Sequence, residues 1–131
     1  MGSLDSTNNK HKILLIDEDR FLNEVYSAKL TAAGFDVAFT LNGVEGLEKA
    51  KSFLPDLIIL DLLLPKMSGN QLLEKLRQNK ETKDTKVIVF TNVIPNEGIE
   101  KVAQYGITDY ILKSDMSSVN LVDKVSHILQ Q

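Results

Sequence analysis

The chain has no cysteine and no tryptophan, only three prolines, and aromatic residues at 6% of its 131 positions. Without cysteine there is no disulfide framework, no thiol nucleophile and no cysteine-based zinc site, and the composition fits a reducing compartment. Positive charge is not in surplus either, with a formal net charge of −3 and a pI near 5.3. Nucleic-acid phosphates are neutralised by clustered Lys and Arg, so the balance argues against direct nucleic-acid binding as the main task. No apolar run approaches the ~20 residues of a membrane span, and the polar start MGSLDSTNNK lacks the apolar segment of a secretory signal. The expectation is a soluble, cytoplasmic domain without membrane association. At 43% hydrophobic and 25% charged, the chain can build one globular core but has no room for a second domain. Residues 1–10 read as a flexible lead whose MGS start has the form of a cloning remnant, and residues 11–131 as the folded domain.

Five short apolar runs punctuate that domain: KILLI (12–16), FDVAF (35–39), DLIIL (56–60), KVIVF (86–90) and DYILK (109–113). Continuous apolar runs suit strands covered on both faces, as in a parallel sheet between helix layers. Helical spacing fills the gaps. Phe21, Val25, Ala28 and Ala32 share one face of a first helix that Gly34 ends. Asn42 and Glu45 have capping-box spacing at the start of a second, which Pro55 stops after Phe53. Ser68 and Gln71 open a third that buries Leu72, Leu73 and Leu76. A short fourth runs from Asn96 to Tyr105 with Ile99, Val102 and Ala103 as its apolar positions, and a fifth from Ser118 carries Leu121, Val122, Val125, Ile128 and Leu129. The stretch RQNKETKDTK (77–86) reads as a solvated helix end and loop. Strand and helix alternating five times predict an α/β doubly wound sandwich with right-handed crossovers.

Ligands of such folds bind beyond the carboxyl ends of the strands, where strand order reverses. The residues that fall there are Asp17, Glu18 and Asp19 after the first strand, Asp61 after the third, Thr91 and Asn92 after the fourth, and Lys113 at the end of the fifth. Crowded carboxylates repel unless cations neutralise them. A lysine ammonium and a hard divalent ion would do so, and magnesium takes oxygen ligands through one or two carboxylates while keeping positions for water and phosphate.

That set, with DLLLPKMSG (61–69) around the strand-end aspartate, resembles the receiver domain of two-component response regulators over nearly all the chain from Lys12 onward. The resemblance implies a flavodoxin-like five-stranded parallel sheet of order 2-1-3-4-5, like that of chemotaxis regulators, and phosphoryl transfer from a sensor histidine kinase or histidine phosphotransfer protein. It makes Asp61 the phosphoacceptor, Asp17 and Glu18 the acid pair that holds Mg2+, and the carbonyl of Leu63 a backbone ligand. Lys113 and Thr91 then contact the phosphoryl group, and Tyr110, three residues before Lys113, is the aromatic that changes rotamer. Asp61 is an already ionised oxygen nucleophile, so catalysis reduces to alignment and charge neutralisation of the domain's own phosphorylation and dephosphorylation. The domain is otherwise no enzyme.

Other residues receive plainer readings. Asp19 is a helix cap, His11 and His127 lack ligand spacing, and NGVEG (42–46) lacks the Lys-Ser or Lys-Thr of a phosphate loop. Three positions depart from the family pattern: Glu18 where aspartate is usual, Asn92 where a small residue is usual, and Ser114 in place of proline. They keep open a phosphorylation-independent, receiver-like interaction module. A flavin-binding role on a similar fold is disfavoured because DEDR after the first strand would repel a phosphate. Leu63 and Val93 carry no group to orient a hydrolytic water, so a long-lived phosphoryl form is expected. On phosphorylation Thr91 is expected to move inward and vacate space for the Tyr110 ring. The surface of the fourth helix, fifth strand and fifth helix, flanked by Ile94 and Ile107, would then be the face for a homodimer or output partner, with Gly98 loosening the fourth helix. The chain ends just after the fifth helix, which fits a stand-alone receiver or a piece of a longer regulator.

Overall fold

The computed structural model describes residues 10–95 and 99–130. Five strands, β1 (Lys12–Ile16), β2 (Asp36–Thr40), β3 (Leu57–Leu60), β4 (Lys86–Thr91) and β5 (Asp109–Leu112), form one parallel sheet of order β2-β1-β3-β4-β5. Five helices connect and close it: α1 (Arg20–Ala32), α2 (Gly43–Phe53), α3 (Gly69–Gln78), α4 (Ile99–Ala103) and α5 (Ser118–Leu129). Alternate residues of each strand point to opposite faces, so two cores result. Ile13, Leu15, Ile59, Ile88, Phe90 and Ile111 pack with Leu30 of α1 and with Leu121 and Val125 of α5. Leu14, Ile16, Ile58, Leu60, Val87 and Val89 pack with Ala50 of α2, with Leu72, Leu73 and Leu76 of α3, and with Val102 of α4. The three α3 leucines are fully buried, each contributing about 2 kcal/mol relative to exposure.

The caps follow the sequence signals. Asp19 accepts from Leu22 N–H at 3.1 Å, Asn42 from Glu45 N–H at 2.9 Å, and Ser68 and Gln71 form a reciprocal capping box. Four expectations need correction. The buried face of α1 is not Phe21, Val25, Ala28 and Ala32: Phe21 is 69% exposed, Ala28 and Ala32 also face solvent, and the helix turns Asn23, Tyr26 and Leu30 inward. A hydrogen bond from the Asn23 side chain and the edge-on packing of Tyr26 against Phe90 set that rotation. Ala103 of α4 is exposed, leaving Val102 as its buried contact. Strand β5 stops at Leu112, because Lys113 opens a 3-10 turn.

The fourth correction is the 77–86 stretch, which is organised rather than merely solvated. The Arg77 guanidinium donates to the carbonyls of Tyr105, Thr82, Lys83 and Thr85 at 2.7, 3.2, 3.1 and 2.8 Å, and the Thr82 hydroxyl donates to Leu76 O. The expected start of the fourth helix at Asn96, and Gly98, lie outside the described residues, as does the lead up to residue 9. No described helix is long and apolar enough to cross a membrane.

Candidate functional site

Register alone brings the first two carboxylates together. Ile16 at the end of β1 pairs with Leu60 at the end of β3, each is followed by an aspartate, and Asp61 N–H donates to Ile16 O at 3.0 Å. Strand order reverses here, since β1 is flanked by β2 on one side and β3 on the other. On β4, Thr91 pairs with Leu112 of β5, so Lys113 leaves the sheet one residue beyond it and folds over the same edge.

The side chains converge on Asp61. Lys113 Nζ donates to Asp61 Oδ2 at 2.8 Å and also to Asp17 Oδ2. The Thr91 hydroxyl donates to Asp61 Oδ1 at 2.6 Å, and Leu63 N–H reaches the same oxygen at 3.1 Å. Both aspartates are about 8% exposed and Thr91 is fully buried, which leaves the Asp61 carboxylate reachable but shielded. Burial alone would lower the Lys113 pKa. The hydrogen bonds and charges of Asp17 and Asp61 outweigh it and hold the ammonium above its usual value. Two carboxylates and one ammonium leave the pocket with one net negative charge.

Asp17 is fixed on every side. Its N–H donates to Thr40 O at 3.2 Å, its Oδ1 accepts from Asp19 N–H at 2.9 Å, and its carbonyl accepts from Asn23 Nδ2 at 2.7 Å. Glu18 points to solvent, and among the described residues no three acidic or His side chains gather as a metal cluster. The expected trio of Asp17, Glu18 and Asp61 is therefore an inward pair with Glu18 at the rim, since consecutive residues leaving a strand face opposite ways. Asn92 and Ser114 are exposed.

Tyr110 is half-buried, and its hydroxyl donates to Val93 O at 2.6 Å. Burial, and then the charge of Asp61, push its pKa up. The ring borders an apolar cleft of about 200 Å³ between the loops after β3 and β4, with Leu62, Val93 and Val102 among its walls. Leu63 and Ile94 on its rim are 61% and 71% exposed, enough to offer apolar surface beside Asp61. The expectation places the inward move of Thr91 at phosphorylation. Its hydroxyl already rests on Asp61, because the carboxylate is itself a charged acceptor. Sequence reasoning missed Asn23, whose one signal is a polar residue at the head of the apolar positions Tyr26 and Leu30.

Residues 13–126 match the family model described as the response regulator receiver domain. The chain belongs to that family. The receiver is 30% identical over 127 residues to hybrid signal transduction histidine kinase D of Dictyostelium discoideum, covering 97% of this chain and 8% of that protein. It is 29% identical to the chemotaxis protein CheY of Treponema pallidum over 92% of this chain and 83% of that one. Against the transcriptional regulator RpaA of Synechocystis it spans 42% of the relative's length, so it matches less than half of that protein and a small share of the kinase. A CheY-like receiver domain from Methanospirillum hungatei matches its structure with a TM-score of 0.85 at 26% identity, covering 93% of this chain and 95% of that one. The receiver of sensor histidine kinase PA1611 from Pseudomonas aeruginosa, solved with magnesium in its active-site cleft, shares the fold with a TM-score of 0.81 at 21% identity, over 93% and 99% of the two chains. The flavodoxin-like receiver fold of two-component signalling is thereby assigned.

Proposed function

We propose that this receiver takes a phosphoryl group onto Asp61 from a phosphohistidine of a sensor kinase or phosphotransfer protein. The observation that carries the reading is the convergence of Lys113, Thr91 and Leu63 N–H on one shielded carboxylate. An Asp61 oxygen attacks phosphorus, the new O–P bond forms as the N–P bond breaks, and the imidazole leaves with the bonding pair. Lys113 offsets charge on the phosphoryl oxygens, and the Thr91 hydroxyl, now on Asp61 Oδ1, turns to one of them.

The donor set suits a divalent ion, since two shielded carboxylates sharing one ammonium are hard oxygen ligands with uncompensated charge. Asp17, Asp61 and the Leu63 carbonyl would hold Mg2+, with Glu18 reaching it directly or through water. When bound, Mg2+ neutralises phosphoryl oxygens. Output follows from Tyr110: its hydroxyl holds the loop after β4, so a phosphoryl group that redirects Thr91 would alter that loop and the α4, β5 and α5 face offered to a dimer or output partner.

A small phosphodonor with Mg2+ should add one phosphoryl mass to the wild type and none to Asp61→Asn. Labelling that survives Asp61→Asn would refute the assignment. No labelling of the wild type would favour the phosphorylation-independent interaction module.

A further inference from the structure

We propose that Asn23 is a positioning residue for the acid turn: its buried carboxamide fixes the Asp17–Glu18 peptide and thereby sets the affinity of the site for Mg2+. The inference rests on the phosphoacceptor reading above. Asn23 is 1% exposed, yet it lies on the inward face of α1 beside Tyr26 and Leu30. An amide there costs desolvation unless it is hydrogen-bonded, and a leucine would pack as well. The amide is turned to one use, donating from Nδ2 to Asp17 O at 2.7 Å across six residues. Only the NH2 end can donate to a carbonyl, so its orientation is unambiguous.

The consequence lies in the peptide plane. Asp17 C=O and Glu18 N–H belong to one rigid unit, so a bond to the carbonyl fixes the direction in which Glu18 departs. Asp17 N–H is tied to β2 through Thr40 O, and the Asp17 carboxylate is tied to Asp19 N–H and Lys113. Among the described residues Asn23 donates the one hydrogen bond to the Asp17 carbonyl. Without it the turn can rotate about the Asp17 backbone while Lys113 still holds the carboxylate. The acid at 18 would then be misaimed with Asp61 undisturbed. Outer groups that orient metal-binding residues typically govern 10–100-fold in metal affinity.

The test is a Mg2+ titration followed by amide chemical shifts of Asp17, Glu18 and Asp61 in wild type, Asn23→Leu and Asn23→Ala. Leu keeps the volume and removes the donor, and Ala decides the matter if Leu does not fold. A folded variant should show a changed Glu18 amide shift before metal is added and a Kd for Mg2+ raised roughly 10–100-fold. Phosphoryl acceptance should fall at low Mg2+ and recover at saturating Mg2+, which a general loss of stability would not reproduce. Unchanged Mg2+ affinity in a folded variant overturns the proposal and leaves the phosphoacceptor reading standing. A wild type with no saturable Mg2+ response overturns both.

Discussion

The domain shelters two cations at opposite edges of its sheet, and their surroundings differ in kind. Lys113, at the carboxyl ends of the strands, is held by two carboxylates. Arg77, near the amino ends of β4 and β5, is held by four neutral carbonyls. Charge pairing pushes the pKa of Lys113 up, whereas burial pulls that of Arg77 down against the charge of Asp84. A planar guanidinium fits fixed carbonyls as a fork, while an ammonium is a mobile point charge that exchanges partners. Arg77 therefore ties four loop carbonyls together, and in the proposed function Lys113 sits where a partner oxygen would be replaced by one from a phosphoryl group.

The sharpest way to break this contrast is to remove each cation. Lys113→Met should slow phosphorylation of Asp61 on the order of 10²–10³-fold, the usual loss when one stabilising donor is removed, measured by intact mass against time at saturating Mg2+. Arg77→Met should leave that rate within about twofold and lower stability by about 2 kcal/mol, because carbonyls such as Thr82 O lose their donor. Urea denaturation measures the latter. A folded Arg77→Met protein that no longer accepts phosphoryl would show that the two edges are coupled.

What the sequence disclosed follows the same division. Asp17, Asp61, Thr91 and Lys113 were legible because side chains with chemistry stand where strands end, and parallel register brings strand ends together. Arg77 was not, since its partners are backbone carbonyls that no residue letter announces. Neither was Asn23: an amide adds nothing to an apolar pattern, and the apolar positions taken alone turn the face of α1 toward Phe21. Glu18 was legible as an acid but not as an outward one, because its direction depends on the turn after Ile16.

A smaller effect tests the pocket's rim. Leu63 is exposed beside Asp61, and Val93 lines the neighbouring cleft, and neither can orient an attacking water. Leu63→Asn with Val93→Glu should speed loss of the phosphoryl group by roughly tenfold, less than the full contribution of a positioned general base. Decay after removal of the phosphodonor, followed by mass, checks this. An unchanged rate would mean that water is positioned by the Lys113 side of the pocket instead.

The smallest effect is expected at Tyr110, which borders the cleft beside Asp61 and the proposed output face. Tyr110→Phe removes the bond from the hydroxyl to Val93 O and should cost about 1 kcal/mol. It should also change the pH profile. Tyr110, Tyr26 and Lys113 all hold their protons more tightly folded than unfolded. Their stabilisation is full below an unfolded pKa of about 10 and is lost as pH rises through the raised folded values. The alkaline fall in stability should be shallower in Tyr110→Phe, while stability near pH 7 drops only by the lost hydrogen bond. Paired urea curves at pH 7 and 10.5 separate the two contributions. If amide shifts after β4 also stop responding to phosphorylation in this variant, the hydroxyl is the link from Asp61 to the α4, β5 and α5 face. An undiminished response would place that link in the Thr91 backbone.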